Sequence, residues 1–204
     1  MEKATIYRAI SAPTALVGGI LSTILGSVFF VMWKDWPPAN TNPGFYGLFV
    51  GCWLLVLVLT SFANGLFIWR AARRRNEAFI SPAMRKALWA LFPPMFCGGV
   101  FTVVLFLIPS ESARWCLPEF WMLFYGLGLL ATAQFAPKSI PLLGWCFVLG
   151  SLISLTGDLI LGFEESWERG YYSRPVVAHF SMIVTFGLFH LIYAACTWPR
   201  RAKP

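Results

Sequence analysis

Asp158 and His179 are the residues of this chain whose types and positions could do chemistry together. Asp158 is the only acid inside a predicted apolar span, and His179 lies near the start of the next span. At 1.5 Å per residue, their depths agree to within about 2 Å. An acid at hydrocarbon depth is expected to face the protein interior and a partner. We therefore predict an intramembrane Asp158–His179 pair that titrates as one unit and is a candidate ligand or proton site.

Ser151 and Ser154 extend this candidate site along one helix face. Counting back from Asp158 in steps of three and four residues gives Ser154, Ser151, Phe147 and Gly144, and such spacing places residues on one side of an α-helix. Three interpretations of the pair stay open. It binds a proton, cation or ligand; it forms a structural hydrogen bond; or the two groups do not meet and each reaches water.

His190 is a possible ligand-facing residue on the same predicted span as His179. The two histidines are eleven residues apart, which on an uninterrupted α-helix places them within about 20° of each other. The chain has only these two histidines, so bis-histidine haem ligation within one chain is geometrically excluded, although a homodimer could supply a second ligand. Metal-site spacings are also missing from the sequence. We predict no cofactor, with haem or a metal as the open alternative.

Pro93 and Pro94 lie early in the third predicted span. Proline removes a backbone donor and clashes with the carbonyl one turn back, so we expect a kink here. The carbonyls that are freed at membrane depth need another partner. The kink is either a hinge or a static bend that fits the bundle.

A basic segment between the second and third spans is the strongest surface feature, and it contains Arg70, Arg73, Arg74 and Arg75. Arginines beside a span attract anionic lipids on the cytoplasmic face, and they could also dock a partner. No aromatic residue interleaves these arginines, so we expect no nucleic-acid binding.

Two glycines of the second span could allow close packing against another helix. Gly47 and Gly51 are four residues apart in the second span, a small-residue spacing that allows close helix packing. We expect this face inside the bundle or at a surface where the chain self-associates. A membrane-protein partner or a homo-oligomer is therefore an open possibility.

Six long apolar stretches must position these residues. Hydrophobic residues make up 58% and charged residues 12% of the 204 residues, against about 25% charged residues in a soluble domain. Each stretch approaches or exceeds the roughly 20 residues that a helix needs to cross a bilayer. We predict an all-α, polytopic membrane protein: a single-domain bundle of six transmembrane helices at 12–33, 44–69, 87–108, 118–135, 140–163 and 176–198.

The distribution of basic residues predicts the orientation. With six spans, twelve of the 16 lysines and arginines fall on one side, the side of both chain ends, and four fall on the other. The positive-inside rule then places both termini in the cytoplasm. On the outer side lie most of the acids, Glu119 among them.

Several short motifs resemble an uncharacterised family of small bacterial six-span membrane proteins that are often encoded beside winged-helix regulators. The resemblance covers roughly the last two-thirds of the chain. It rests on Leu91-Phe92-Pro93-Pro94 with Gly98-Gly99, Leu117-Pro118, Phe124-Tyr125-Gly126-Leu127, Pro137-Lys138, Leu143-Gly144-Trp145 and Phe186-Gly187-Leu188-Phe189-His190. It implies a bacterial inner-membrane location and no established activity.

Short loops and the lack of a catalytic motif favour a non-enzymatic function. The first hypothesis is a sensing or binding component, or an accessory subunit of a larger membrane assembly. The second is a small-molecule or proton-coupled transporter that uses Asp158 and His179. The third is a membrane enzyme or a haem- or quinone-binding protein, for which the sequence offers few convergent polar groups.

Overall fold

The part of the chain that the structure describes contains six helices. A computed structural model describes residues 11–34, 43–74, 76, 78–108, 114, 116–164 and 178–198, and the side chains of 33–34, 43–45, 83 and 158–164 lie outside the description. Within these ranges there is no strand. The helices are α1 (Ala12–Lys34), α2 (Pro43–Arg74), α3 (Pro82–Leu107), α4 (Leu117–Ala131), α5 (Ser139–Glu164) and α6 (Ala178–Thr197).

Five of these helices, all except α4, are long and apolar enough to cross a membrane. The prediction of an all-helical, polytopic protein is confirmed at this level. With 15 residues, α4 is the shorter apolar helix, and at 1.5 Å per residue it is about 22 Å long. Whether it completes a sixth span stays a prediction, as does the orientation of the chain ends.

The end of α4 differs from the prediction. Its helix stops at Ala131, whereas the predicted span ran to Phe135. The Thr132 amide bonds to the Leu129 carbonyl, and the Thr132 hydroxyl donates to the same oxygen at 2.8 Å. A threonine side chain that competes for a nearby carbonyl in this way favours a turn over continued helix. Pro137 then prevents the helix from resuming at that position.

Helix α6 contains a π-helical segment over Ile183–Phe189, followed by α-helix over His190–Thr197. A π-helix advances about 80° per residue instead of about 100° because its hydrogen bonds reach one residue further. Across this segment, the angle between His179 and His190 grows from about 20° to about 100°. The prediction that both histidines share one face is wrong for this reason.

Glycines allow the closest helix contacts. A Cβ on Gly126 of α4 would lie 2.8 Å from the Gly144 carbonyl oxygen of α5, so the two backbones touch there. Helix α1 approaches α6 in the same manner, since a Cβ on Gly187 would lie only 3.4 Å from the Thr23 backbone. Such contacts need residues without side chains. Helix α1 thus lies between α2 and α6, and α4 lies between α3 and α5.

Gly47 and Gly51 do not take part in this packing. A Cβ at either position would have no neighbour within 4 Å, and Gly51 is exposed. The expectation that this face lies inside the bundle is wrong, because α2 turns Phe49 and Trp53 inward instead. The alternative, a surface for self-association, stays a prediction.

Candidate functional site

A buried carboxyl group is the centre of the candidate site. Glu119 is only 1% exposed. The Ser154 hydroxyl donates to its Oε1 at 3.0 Å, and the Ser151 hydroxyl donates to its backbone carbonyl at 2.8 Å. The Ser154 and Ser181 hydroxyls are hydrogen-bonded at 3.2 Å. Glu119, Ser151, Ser154 and Ser181 thus join α4, α5 and α6, and we call these four residues the Glu119 cluster.

Local sequence explains how these side chains meet. Pro118 occupies the start of α4, where the backbone amide has no partner within the helix, so the missing amide hydrogen of proline breaks no hydrogen bond. Glu119 is the next residue and lies in the first turn, where the helix dipole favours an acid. Ser151 and Ser154 are three residues apart and face α4 together. Phe147 and Gly144, the other members of the predicted stripe, also contact α4, at Tyr125 and Gly126.

Glu119 is the functional candidate that the sequence analysis missed. The statement that Asp158 is the only acid within a predicted span is wrong, because Glu119 lies within the predicted span 118–135, whereas the placement of Glu119 on the outer side stays a prediction. The signal was present, because Glu119 is the second residue of the predicted span Pro118–Phe135. Only the packing of α5 and α6 over the start of α4 buries it.

His179 is fully buried among aromatic rings. Its imidazole is stacked on Phe29 of α1 with ring centroids 5.8 Å apart, and it meets Phe49 of α2 edge-on at 5.2 Å. Ser181, two residues further along α6, points about 200° away from His179, toward α5. Asp158 lies on α5, but its side chain is among those outside the description. The Asp158–His179 contact therefore stays a prediction.

His190 forms a second buried polar pair. Its Nε2 lies 2.8 Å from the Tyr125 hydroxyl of α4, and its Nδ1 lies 3.1 Å from the Phe186 carbonyl. A carbonyl can only accept, so Nδ1 carries the hydrogen and Nε2 accepts from Tyr125. The His190 amide bonds to the Gly187 carbonyl, and the Phe186 carbonyl accepts from the imidazole.

The two hydrogen bonds of His190 affect whether its imidazole could coordinate haem or a metal ion. Both ring nitrogens of His190 already have partners, so coordination there requires the loss of one hydrogen bond. Among the residues that the structure describes, no group of three or more His, Cys, Asp or Glu side chains could hold a metal ion.

Arg70, Arg73 and Arg74 are exposed on the last two turns of α2. The Arg73 guanidinium lies 4.5 Å from the centre of the Trp69 ring, a cation–π distance. An indole and a guanidinium together suit the boundary between headgroups and hydrocarbon. Arg75 lies outside the described residues.

Pro93 and Pro94 lie within α3, which is helical from Pro82 to Leu107. A Cβ on Gly128 of α4 would lie 2.8 Å from Leu91 and 3.9 Å from Pro94, so this part of α3 packs closely on α4. The predicted kink itself is not tested by this packing and stays a prediction. A hinge at these prolines stays a prediction.

The hydrogen bond from Ser154 to Glu119 should contribute to the free energy of unfolding. We expect Ser154→Ala to lower the free energy of unfolding by about 1–2 kcal/mol, because a buried acceptor loses its donor. Thr156→Val on the exposed side of α5 is the matched control, with an expected change within about 0.5 kcal/mol. Unfolding in sodium dodecyl sulfate, followed by circular dichroism, measures both. Equal stabilities of the two variants would contradict the hydrogen bond to Glu119.

Comparison of the chain with protein-family models, curated proteins and solved structures finds no match. The resemblance to the small bacterial membrane family therefore rests on the short motifs alone and stays a prediction.

Proposed function

We propose that this chain is a non-enzymatic integral membrane protein that senses or binds a proton at the Glu119 cluster. The burial of Glu119, with a hydrogen bond from Ser154, carries the proposal. A carboxylate without water needs donors or a cation to remain charged. Uptake of a proton removes that charge, so the packing of α4, α5 and α6 responds to the occupancy of the site.

The chemistry of the cluster supports binding over catalysis. Its side-chain groups are one carboxyl and three hydroxyls, which are hard oxygen ligands. The Ser154 hydroxyl donates to a carboxyl oxygen and to no imidazole among the described residues, so the serine lacks the base that activates a nucleophile in a Ser–His arrangement. A small monovalent cation is the other ligand with this chemistry.

The proposal also includes the orientation of the chain in the membrane and its lipid and protein partners. Six spans, with both chain ends in the cytoplasm of a bacterial inner membrane, agree with the twelve-to-four distribution of basic residues. The exposed Arg70, Arg73 and Arg74 then contact anionic lipids. An accessory-subunit version adds a membrane-protein partner or a second copy of the chain, and it predicts a stoichiometric complex after detergent extraction.

Infrared difference spectra between acidic and alkaline pH test the proton site on protein in lipid. We expect a carboxyl C=O band that is present in the wild type and absent in Glu119→Gln, because glutamine keeps the shape but cannot take up the proton. Asp158→Asn is the companion variant. Loss of a separate band in that variant would add the Asp158–His179 pair to the site.

A second titration distinguishes the proton from a cation. Sodium, potassium or lithium chloride is added at constant pH, and loss of the Glu119 band with only one of these salts would identify a cation as the ligand. A spectrum in which Glu119→Gln and the wild type are identical at every pH and salt would overturn the proposal.

A further inference from the structure

The two helices on either side of the basic segment each carry a tryptophan one turn away from an arginine. On α2, Arg73 follows Trp69 by four residues, and its guanidinium lies 4.5 Å from the ring centre. On α3, Arg85 precedes Trp89 by four residues, and all four side chains are exposed. Helix α2 runs toward the connection and α3 runs away from it, so in both helices the arginine lies about 6 Å nearer the connection than the indole.

This repeated order indicates the level of the lipid headgroups. An indole favours the boundary between headgroups and hydrocarbon, so a cation one turn further out lies at the level of the phosphates. The length of α2 agrees, because its 32 residues extend about 48 Å, against about 30 Å of hydrocarbon. Five exposed cations lie at these two helix ends: Arg70, Arg73, Arg74, Arg85 and Lys86.

An exposed apolar pair lies between the two helix ends. The Ser81 hydroxyl accepts from the Met84 amide at 3.1 Å, and Pro82 occupies the first helical position, so α3 begins there. Phe79 and Ile80 therefore precede the helix, and they are 41% and 57% exposed. Apolar side chains beside cations suit the headgroup layer, where the apolar groups enter the acyl boundary and the cations meet phosphates.

The charge of this region matches an anion. Among the described residues from 69 to 89 there is no acid. The sequence has one acid in this stretch, Glu77, which lies outside the described residues, against six lysines and arginines. Cations at the end of α2 agree with its helix dipole, but Arg85 near the start of α3 is repelled by the positive end of that helix. An anion bound beside Arg85 removes this repulsion.

We propose that the end of α2, residues 78–81 and the start of α3 form one binding surface for an anionic phospholipid, and we call it the α2–α3 edge. Its guanidinium groups bind the headgroup phosphate through paired N–H donors, and Phe79 and Ile80 insert among the acyl chains. The inference rests on the part of the proposed function that places the arginines beside anionic lipids. It adds the cations of α3 and the apolar pair, and it makes the lipid a bound partner. An acidic protein would match the cations, but the level of the indoles and the apolar pair favour a lipid.

Native mass spectrometry of the protein in an uncharged detergent tests the inference. The protein is titrated with phosphatidylglycerol and with phosphatidylcholine that have identical acyl chains. We expect the wild type to prefer phosphatidylglycerol by at least about fivefold. Arg73→Gln and Arg85→Gln should each weaken phosphatidylglycerol binding by about fivefold, because one cation near a lipid headgroup contributes roughly this factor. Lys138→Gln is the matched control, since Lys138 is an exposed cation between α4 and α5, and its change should be less than about twofold.

The apolar pair has a different expected signature. Phe79→Ser combined with Ile80→Ser should weaken the binding of both lipids alike, because insertion among acyl chains does not depend on the headgroup charge. A higher concentration of ammonium acetate should weaken only phosphatidylglycerol, because salt screens exposed charges.

Equal binding of the two lipids by the wild type would overturn the inference, as would equal losses in Arg85→Gln and Lys138→Gln. Displacement of phosphatidylglycerol by a poly-glutamate peptide would also overturn it and identify an acidic protein as the partner. Infrared spectra separate these results from the proposed proton site. The variants change exposed residues, so each should keep the Glu119 band. A wild type without that band contradicts the proton site and leaves the lipid titration as the test of the α2–α3 edge.

Discussion

Gly126→Leu is expected to separate α4 from α5 and to lower the free energy of unfolding by about 3 kcal/mol. At this position a Cβ meets the Gly144 carbonyl oxygen at 2.8 Å, Val148 at 2.9 Å and Phe147 at 3.0 Å. The nearest of these atoms belongs to backbone, which cannot swing away as a flexible side chain can. Because α4 also carries Glu119, the variant should lose the Glu119 cluster as well as stability. Unfolding in sodium dodecyl sulfate measures the loss.

Gly51→Leu is the matched control for this variant. It places the same side chain on an exposed glycine of α2 that has no neighbour within 4 Å of its Cβ position. Leucine is also the better helix former, by up to about 1 kcal/mol, so Gly51→Leu should be neutral or slightly stabilising. If both leucine variants unfold at the same detergent fraction, the glycine contact between α4 and α5 is incorrect.

Phe147→Ala is the second change with a large expected effect. Phe147 is fully buried, and its ring meets Tyr125 at 4.7 Å, Phe186 at 5.0 Å and His190 at 5.4 Å. We expect a loss of about 3 kcal/mol, at the lower end of Phe→Ala changes in protein cores. Lipid solvates apolar side chains as well as the bundle interior does, so the loss reflects the cavity and the missing ring contacts.

Leu149→Ala on the exposed side of α5 is the control for Phe147. Its side chain faces the surroundings of the bundle, so its truncation should change the free energy of unfolding by less than about 0.5 kcal/mol. Loss of the Phe147 ring should also loosen the Tyr125–His190 pair, because this ring packs against both residues. A Phe147→Ala protein with wild-type stability would contradict the packing of α4, α5 and α6 around this ring.

Part of the candidate site followed from residue spacing alone. The spacing of Ser151 and Ser154 predicts that they lie on one face of α5 because local helix geometry is nearly constant, and both bond to α4. The prediction that His190 and His179 share one face of α6 is wrong because the helix geometry changes between them. It assumed an uninterrupted α-helix, and a π-helical segment changes the angle between every pair of residues that it separates.

The sequence by itself determined that this chain is built from apolar helices, where most of them lie and which residues each helix can present on one face. These properties depend on composition and on short-range periodicity. Only the tertiary structure decided that Glu119 is buried, that α4 touches α5 backbone to backbone at Gly126, and that α6 turns His190 toward Tyr125. Each of these depends on which helices pack together, and an apolar helix in lipid can pack with any neighbour until the contacts between small residues select one.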